Sequence, residues 1–512
     1  MTAETRVVPG LSVGPAALRS RLALVDWRSL AAFGLPLSLY LLTLAPTIYN
    51  LDSAEFSTAA ATGGLVRATG YPLYLMLGYA WSRLPIGDVG YRMNLFSAFN
   101  GALTIMLAER ILRRWRVGTW ATLGALGLLA SAPFFWALSL IAEVYTLHTV
   151  LMLGVILLLL RWADDPSPPR LALVCLLIGL SMGHHAATVL LLPGCAWTLL
   201  AVAPRRALAP RSLVAAWVAL LVGLGVYLYL PLRYGAAPAF NYAGHFDAAG
   251  VFVPINLHTP QGLWSLVSGR AFAAQMFAYR GADLWREVGH FGVQLWQAFF
   301  AIGIGPGLLG MLVLLKRDWR LGGMLVWMFV CSAGFYIDYR VLDKNTMFLP
   351  AFVLWALWLG VGYQQLVHWL RQAGDGLTWR WGVRFVRGLL VGFVLLAVAW
   401  NWRLVDQSDD WSARRRGERI LGLAEPQALI LGWWDTVPVI QYLQLVEGQR
   451  PDVQAINRFL IAPGDMERLI QREMARRPVY VDSLSDDLLR MASARPVGPV
   501  YRLQPRRQPA GP

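Results

Sequence analysis

The sequence predicts an all-α polytopic membrane protein, a bundle of about 11 transmembrane helices, with a small α/β domain at its C-terminal end. Three observations carry this. Hydrophobic residues make up 57% of the 512 and charged residues only 15%, against roughly 25% charge in average chains. The apolar residues come in stretches of about 20, the length a helix needs to cross ~30 Å of hydrocarbon. The basic residues gather in short loops between those stretches, the positive-inside pattern. That clustering also argues against nucleic-acid binding, which a formal charge of +15 would otherwise suggest. Cys175, Cys195 and Cys331 all lie inside apolar runs and read as small core hydrophobes, without disulfide or metal spacing.

Taking arginine clusters as cytoplasmic sets an alternating path. Residues 1–28, with Arg6, Arg19, Arg21 and Arg28, form a cytoplasmic N-terminal segment. The first apolar run, about 29–48, is longer than a signal-peptide core and reads as a retained helix that crosses outward. An outer loop follows, 49–90. If 71–84 spanned the membrane, Arg110, Arg113, Arg114 and Arg116 would land outside, so 56–88 reads as interfacial helices. The next crossings are about 91–110, 118–138 and 145–161, the last two a hairpin whose outer turn holds Glu143 and Tyr145. A short fifth crossing, 171–184, ends at His184-His185, and the sixth is about 187–203. The seventh, 212–232, ends outside at Tyr229-Leu-Pro-Leu-Arg233.

The outer segment 233–288 is too polar to span and too aromatic to be disordered, so short helices packed on the outer face are expected there. Four more crossings follow, about 290–315, 321–337, 346–369 and 388–404. The transmembrane domain thus covers 29–405. Past residue 405 the composition changes. Strands are expected at 428–431, 452–456 and 478–481, with helices at 436–447 and 464–475, a small parallel α/β unit. The odd count of crossings places this domain, 406–512, outside the cytoplasmic (inner) membrane.

On this path the unusual polar residues arrive at the outer ends: Asp52 and Glu55, Glu143, His184 and His185, Arg233, then Asp338, Arg340, Asp343 and Lys344. Each has an ordinary structural explanation. Asp52 or Ser53 suits a helix N-cap with Glu55 in the first turn, Glu143 a second cap, and Arg233 an interfacial arginine. Adjacent histidines on a helix point about 100° apart, so a metal pair is not implied. Yet acids, histidines and basics mix only at these ends, and mixed charge at a membrane surface suits chemistry on a lipid phosphate. Arginine or lysine would hold the phosphate while a carboxylate takes the proton of an attacking hydroxyl. No P-loop, dinucleotide glycine pattern, zinc spacing or nucleophile elbow is present.

The motifs Ala45-Pro-Thr47 with Asp52-Ser-Ala-Glu-Phe56, Gly70-Tyr-Pro-Leu-Tyr74, Arg92-Met-Asn-Leu-Phe-Ser97 and Glu143-Val-Tyr-Thr-Leu-His148 go together with Gly183-His-His185, Tyr229-Leu-Pro-Leu-Arg233, Phe348-Leu-Pro350 and Arg450-Pro-Asp452. In these the chain resembles the DUF2723 family, bacterial relatives of the protein O-mannosyltransferase TMEM260 among the GT-C glycosyltransferases. The resemblance covers about residues 35–460. One departure stands out: relatives carry His-Pro-Pro before the Gly-Tyr-Pro, where this chain has Arg67-Ala-Thr69. The resemblance implies a GT-C bundle with its active site on the outer face, a polyprenyl-phosphate sugar donor, and catalytic carboxylates at Asp52 and Glu55.

The expected function is transfer of a sugar, a mannose-like hexose among the candidates, from polyprenyl phosphate to a hydroxyl of a protein or glycan, with inversion. Asp52 would be the general base, and Glu55 would orient the acceptor or share a divalent cation (Mg or Mn), which nothing in the sequence demands. Arg233 with Arg340 or Lys344 would neutralise the lipid phosphate. Tyr71, Glu143, Tyr145, His184 and His185 complete the expected substrate-binding set. Two other classes stay open. A flippase or transporter of lipid-linked sugars would normally show internal repeats, and none is visible. A non-catalytic envelope assembly protein would use the C-terminal domain as a docking module.

Overall fold

A computed structural model describes residues 26–341, 343–372 and 377–505. Arg6, Arg19 and Arg21 of the expected N-terminal segment lie outside the described residues. The principal helices are α1 (Trp27–Thr43), α2 (Asp52–Thr62), α3 (Pro72–Trp81), α4 (Val89–Arg114), α5 (Thr119–Ala130), α6 (Tyr145–Asp164), α7 (Pro168–Met182), α8 (Leu192–Val202) and α9 (Pro210–Leu224). They continue with α10 (Gly281–Ala298), α11 (Ile304–Arg317), α12 (Trp319–Ile337), α13 (Leu349–Gln372) and α14 (Leu377–Val405), and in the C-terminal part α15 (Ser412–Leu423), α16 (Val437–Leu445), α17 (Pro463–Met474) and α18 (Asp486–Met491). Among the described residues, six helical stretches are long and apolar enough to cross a membrane: Val89–Arg114, Tyr145–Asp164, Pro210–Gly235, Trp319–Ile337, Lys344–Gln372 and Arg380–Val405. The chain is a multi-pass membrane protein. α2 and α3, with 11 and 10 residues, are too short to span at 1.5 Å per residue.

Among the described residues, six of the eleven expected crossings coincide with these stretches. The runs 29–48, 118–138, 171–184 and 187–203 are met by shorter helices, the second of them broken before Pro133, and the eighth crossing differs most. The eighth is not one helix over 290–315. α10 starts at Gly281 with an exposed polar face, and the chain turns through Phe300 and Ala301, both at positive φ, before α11 begins. Apolar content alone does not reveal such a break, because both arms carry it. The outer segment also differs. Besides short helices it holds an antiparallel hairpin, β1 (Gly244–Phe246) with β2 (Phe252–Pro254), pairing His245 with Val253.

α13 is the centre of the bundle: every residue from Leu349 to Tyr363 is buried, as expected for a helix apolar all round. The exposed Val214, Trp217, Val218, Leu221 and Val222 of α9, and Phe385, Leu395 and Trp400 of α14, present apolar faces outward, which suits lipid. α7 and α9 cross at Gly179 and Gly223. A Cβ on Gly223 would stand 2.4 Å from the Leu176 carbonyl oxygen, the small-residue contact that lets membrane helices approach. The arginines segregate. Arg110, Arg113, Arg114 and Arg161 line one cleft, and Arg371, Arg380, Arg384 and Arg387 another. α4 starts beside the acidic loop and runs about 39 Å to its arginines.

The C-terminal part is a five-stranded sheet, β3 (Leu429–Gly432), β4 (Gln454–Asn457), β5 (Val479–Val481), β6 (Ala492–Val497) and β7 (Val500–Pro505), in the order β4-β3-β5-β7-β6. The three expected strands are parallel, with Ile430 opposite both Ala455 and Tyr480. The antiparallel β6–β7 hairpin was not expected, since its Arg- and Pro-rich residues lack a clean apolar alternation. This sheet shares a core with the acidic loop: Ile48 and Ala54 pack with Val437, Val439, Ile440 and Tyr442. Gly90 N–H donates to the Tyr442 hydroxyl at 3.0 Å. Arg414 binds Glu447 at 2.6 Å, Glu418 at 2.8 Å and Asp88 at 3.2 Å. Arg414→Ala leaves Asp88 and Glu447 without their cation and is expected to cost about 2 kcal/mol. Differential scanning fluorimetry and faster proteolytic cleavage near residues 406–412 would register that loss.

Candidate active site

α2 begins sharply. Leu51, at φ 55°, is its N-cap and no side chain caps it. The capping explanation for Asp52 and Ser53 therefore does not hold: the Ser53 hydroxyl instead accepts the Ala142 N–H at 3.1 Å. Asn94 ties the same region together, donating to the carbonyls of Ala45 (3.0 Å) and Thr47 (2.8 Å) and accepting from Ala142 N–H (2.9 Å). The 139–144 turn and the acidic loop are thus held as one piece, which brings Glu143 to Asp52.

The partner of the acid pair is Arg67. Its guanidinium binds Asp52 at 2.6 Å and also Glu55, while its backbone N–H donates to Glu55 at 3.1 Å. The loop carrying Arg67 is set by its surroundings. Leu65 exchanges backbone hydrogen bonds with Phe240 (3.0 Å) and Tyr242 (2.8 Å). A Cβ on Gly64 would stand 2.6 Å from the Phe240 carbonyl oxygen, so only glycine fits. On the other side Arg67 lies over the Trp434 ring, 4.3 Å from its centroid, a cation–π contact from the C-terminal domain.

The two acids are unequal. Glu55 is fully enclosed, and the Asp52 side chain keeps 18% of its surface open. Burial pushes the Glu55 carboxyl up to about 7, against the pull of Arg67. Glu143 is likewise raised by burial, with the charges of Asp52 and Asp343 acting in the same direction, and its Oε2 has no partner. Around these acids stand the rings. Tyr71 is edge-on to Phe56 at 5.3 Å and to His185 at 5.5 Å. His185 also lies 6.1 Å from Tyr145 and 5.1 Å from His148. His184 Nε2 donates to the Val144 carbonyl at 2.9 Å, so its proton sits there. The histidine pair occupies the break after α7, where the helix ends at Met182.

The structure therefore brings together Asp52, Glu55, Tyr71, Glu143, Tyr145, His184 and His185. It does not bring the three other expected basic residues to the acids. Arg233 donates to the Gly63 and Thr62 carbonyls at 2.5 and 3.3 Å, closing the C-terminus of α2. Lys344 pairs with Glu287 beside Tyr279, and Arg340 donates to the Ala278 carbonyl at 2.8 Å over the same ring. Sequence reasoning missed Arg67, His148 and Trp434 as site residues. Arg67 was visible as the departure from His-Pro-Pro and His148 inside a quoted motif, while Trp434 carried no signal.

A carboxyl held protonated by burial favours the folded state at low pH and loses that contribution as pH rises toward its folded value. Stability is thus expected to fall between pH 4.5 and about 7 through Glu55. Glu55→Gln, shaped like the protonated form, removes that slope in thermal unfolding measured across pH. Arg67→Met steepens the destabilisation toward neutral pH by leaving two carboxylates side by side.

Comparisons with known proteins agree with this architecture. Residues 52–207 match the family model described as the protein O-mannosyl-transferase TMEM260 N-terminal domain, beginning at Asp52 itself. The protein O-mannosyl-transferase tmem260 of Dictyostelium discoideum is 23% identical over 474 residues, covering 83% of this chain and 56% of that protein. TMEM260 of Mus musculus is 23% identical over 455 residues, covering 85% and 63%. The chain thus spans less than two thirds of the length of these relatives. Among solved structures, ArnT from Cupriavidus metallidurans bound to undecaprenyl phosphate superposes with a TM-score of 0.57 at 14% identity, covering 94% of this chain and 98% of ArnT. The same protein in the apo state gives 0.56, with 93% and 96% covered. The fold is the GT-C fold of ArnT, and residues 52–207 are similar to the N-terminal domain of the TMEM260 protein O-mannosyl-transferases.

Proposed function

We propose that this chain is a membrane glycosyltransferase that moves one sugar from a polyprenyl-phosphate donor to a hydroxyl on the outer face of the cytoplasmic membrane. The observation that carries the reading is the Asp52–Arg67–Glu55 arrangement: a partly open carboxylate and an enclosed one sharing a partly open cation. The GT-C fold, a fold neighbour solved with undecaprenyl phosphate, and relatives named protein O-mannosyl-transferase support it.

In this reading Asp52 takes the proton of the acceptor hydroxyl. The freed oxygen attacks the anomeric carbon, and the bond from that carbon to the phosphate oxygen breaks, its electron pair leaving with the lipid phosphate. A single displacement inverts the anomeric centre. Glu55 is too enclosed to meet substrate, and its task is to hold Arg67 in place. The phosphate falls to Arg67 instead of Arg233, Arg340 or Lys344, since those three are engaged elsewhere. The guanidinium already supplies positive charge between the carboxylates, so the mechanism needs no divalent cation and transfer should survive chelation.

Asp52→Asn is expected to lower turnover by about 10²–10⁴-fold, the range of a lost general base, with donor binding retained. Transfer from a polyprenyl-phosphate sugar in membranes measures it, and unimpaired turnover removes Asp52 from the role. A topology reporter fused after Gln407 should read extracytoplasmic. A cytoplasmic signal would place the acid pair on the wrong side for this reaction.

A further inference from the structure

The two arginine clefts are not alike, and the difference lies in their acids. In the first, about 270 Å³ between Arg110, Arg113, Arg114 and Arg161, Arg113 binds Asp26 at 2.6 Å and Arg114 pairs with Asp164. The second, about 320 Å³, is lined by Arg371 at the end of α13, by Arg380, Arg384 and Arg387 of α14, and by the buried Val383. Neither helix contains an aspartate or glutamate, and neither does α5, which brings Trp120 to Arg387. Asp375, the one acid of the segment joining the two helices, lies outside the described residues. Among the described residues, Arg371, Arg384 and Arg387 have no carboxylate partner. Arg384 and Arg387 stand instead over the rings of Trp381 and Trp120, at 5.3 and 5.7 Å. Like charges three and four residues apart on one helix face repel, so an anion among them is stabilising.

The cleft lies at the end of the bundle away from the acid pair. Just past the other end of α14, the Gln407 N–H donates to the Thr43 carbonyl at 3.0 Å, close to the acidic loop. From Gly388 to Trp402 no charged residue occurs. Arg387 and the arginines before it therefore stand where hydrocarbon gives way to headgroups. Trp120 and Trp381, both exposed, mark the same level. Beyond them Phe385, Leu389, Leu396 and Trp400 follow at intervals of four, seven and four, an exposed apolar stripe along one face of α14. One surface thus offers guanidinium groups without counter-charge, then indole rings, then an apolar wall.

This order matches a phospholipid read from headgroup to acyl chain. The guanidinium fork holds phosphate oxygens by paired, charge-assisted hydrogen bonds, and basic pockets between helices at this depth suit anionic headgroups. A soluble anion would make no use of the stripe. A zwitterionic headgroup would bring a further cation to a cleft already crowded with them. We propose that the cleft between α13 and α14 binds the phosphodiester headgroup of an anionic phospholipid whose acyl chain lies along α14. The site is separate from the acid pair and independent of the transferase reading. A lipid held there fixes the far end of the helix that leads into the C-terminal domain.

The test uses the full chain in neutral detergent without sugar donor, with phosphatidylglycerol as the probe and native mass spectrometry as the readout. Phosphatidylglycerol should be retained at least tenfold more tightly than phosphatidylcholine. Arg384→Gln should weaken its retention about fivefold, and Arg371→Gln in the same chain by a similar factor again. Arg384→Lys, which keeps the charge, should restore most of the binding and so exclude a folding loss. Equal retention of the two lipids overturns the proposal. So does an equal loss in Arg320→Gln, a charge removed at the start of α12, since the attraction would then be diffuse. Displacement of the lipid by millimolar inorganic phosphate would make this a site for a soluble anion, and preferential retention of a polyprenyl phosphate a second site for that lipid. Either result overturns the assignment to a phosphodiester lipid.

Discussion

The guanidinium of Arg67, shared between Asp52 and Glu55, is the constraint on which the rest of the outer face depends. Enclosing a carboxylate as fully as Glu55 is tolerable only with a close cation and hydrogen bonds to its oxygens. Arg67 supplies both, through its side chain and its own backbone N–H. To deliver them, the loop after α2 must run tight against Phe240 and Tyr242, and Arg233 must close the end of α2. A distant segment, the one following the seventh crossing, is thereby recruited to shape the first loop. Trp434 then covers the remaining face of the guanidinium. Four parts of the chain meet at one charge.

This arrangement explains why the C-terminal sheet is not an appended module. α16 packs on α2, Tyr442 reaches Gly90, and Arg414 gathers acids from the loop before α4 and from its own domain. The boundary drawn near residue 406 from composition marks a change of environment, from apolar bundle to polar sheet, but not a break in packing. The two ends of the bundle differ just as sharply. Arginine clefts lie at one end, and at the other Asp52 and Glu55 share Arg67, with tyrosines and histidines around them. Binding and proton transfer can therefore be confined to one side of a membrane.

The fold was largely legible because bilayer thickness converts directly into run length. Six expected crossings found helices of spanning length and the others shorter or broken ones, and the strands at 428–431, 452–456 and 478–481 appeared within a residue or two. The break at Phe300–Ala301 and the β6–β7 hairpin escaped, the first because both arms are apolar, the second because its pattern is masked by Arg495, Pro496 and Arg502. In the site, the spacing of Asp52 and Glu55 beyond a membrane exit made them candidates only, and the arginine pattern and the family resemblance favoured a site over a helix cap. Arg67 registered only as a residue out of place. Arg233, Arg340 and Lys344 could not be sorted, since a charged side chain near an outer helix end has many partners within reach and one-dimensional order does not rank them.

By itself, then, the sequence determined the polytopic class, the places of most apolar helices, the parallel part of the sheet and the gathering of mixed charge at one set of helix ends. Those features follow from local composition and period, which act over one helix or strand at a time. Tertiary structure alone decided that Asp52 stays partly open while Glu55 is enclosed, that Arg67 and not Arg233 or Lys344 is their counter-charge, and that Trp434 closes over it. The physical reason is desolvation. Whether a charge is buried, and which partner compensates it, depends on groups 12 to more than 300 residues away, and only the packed chain brings them within hydrogen-bonding distance.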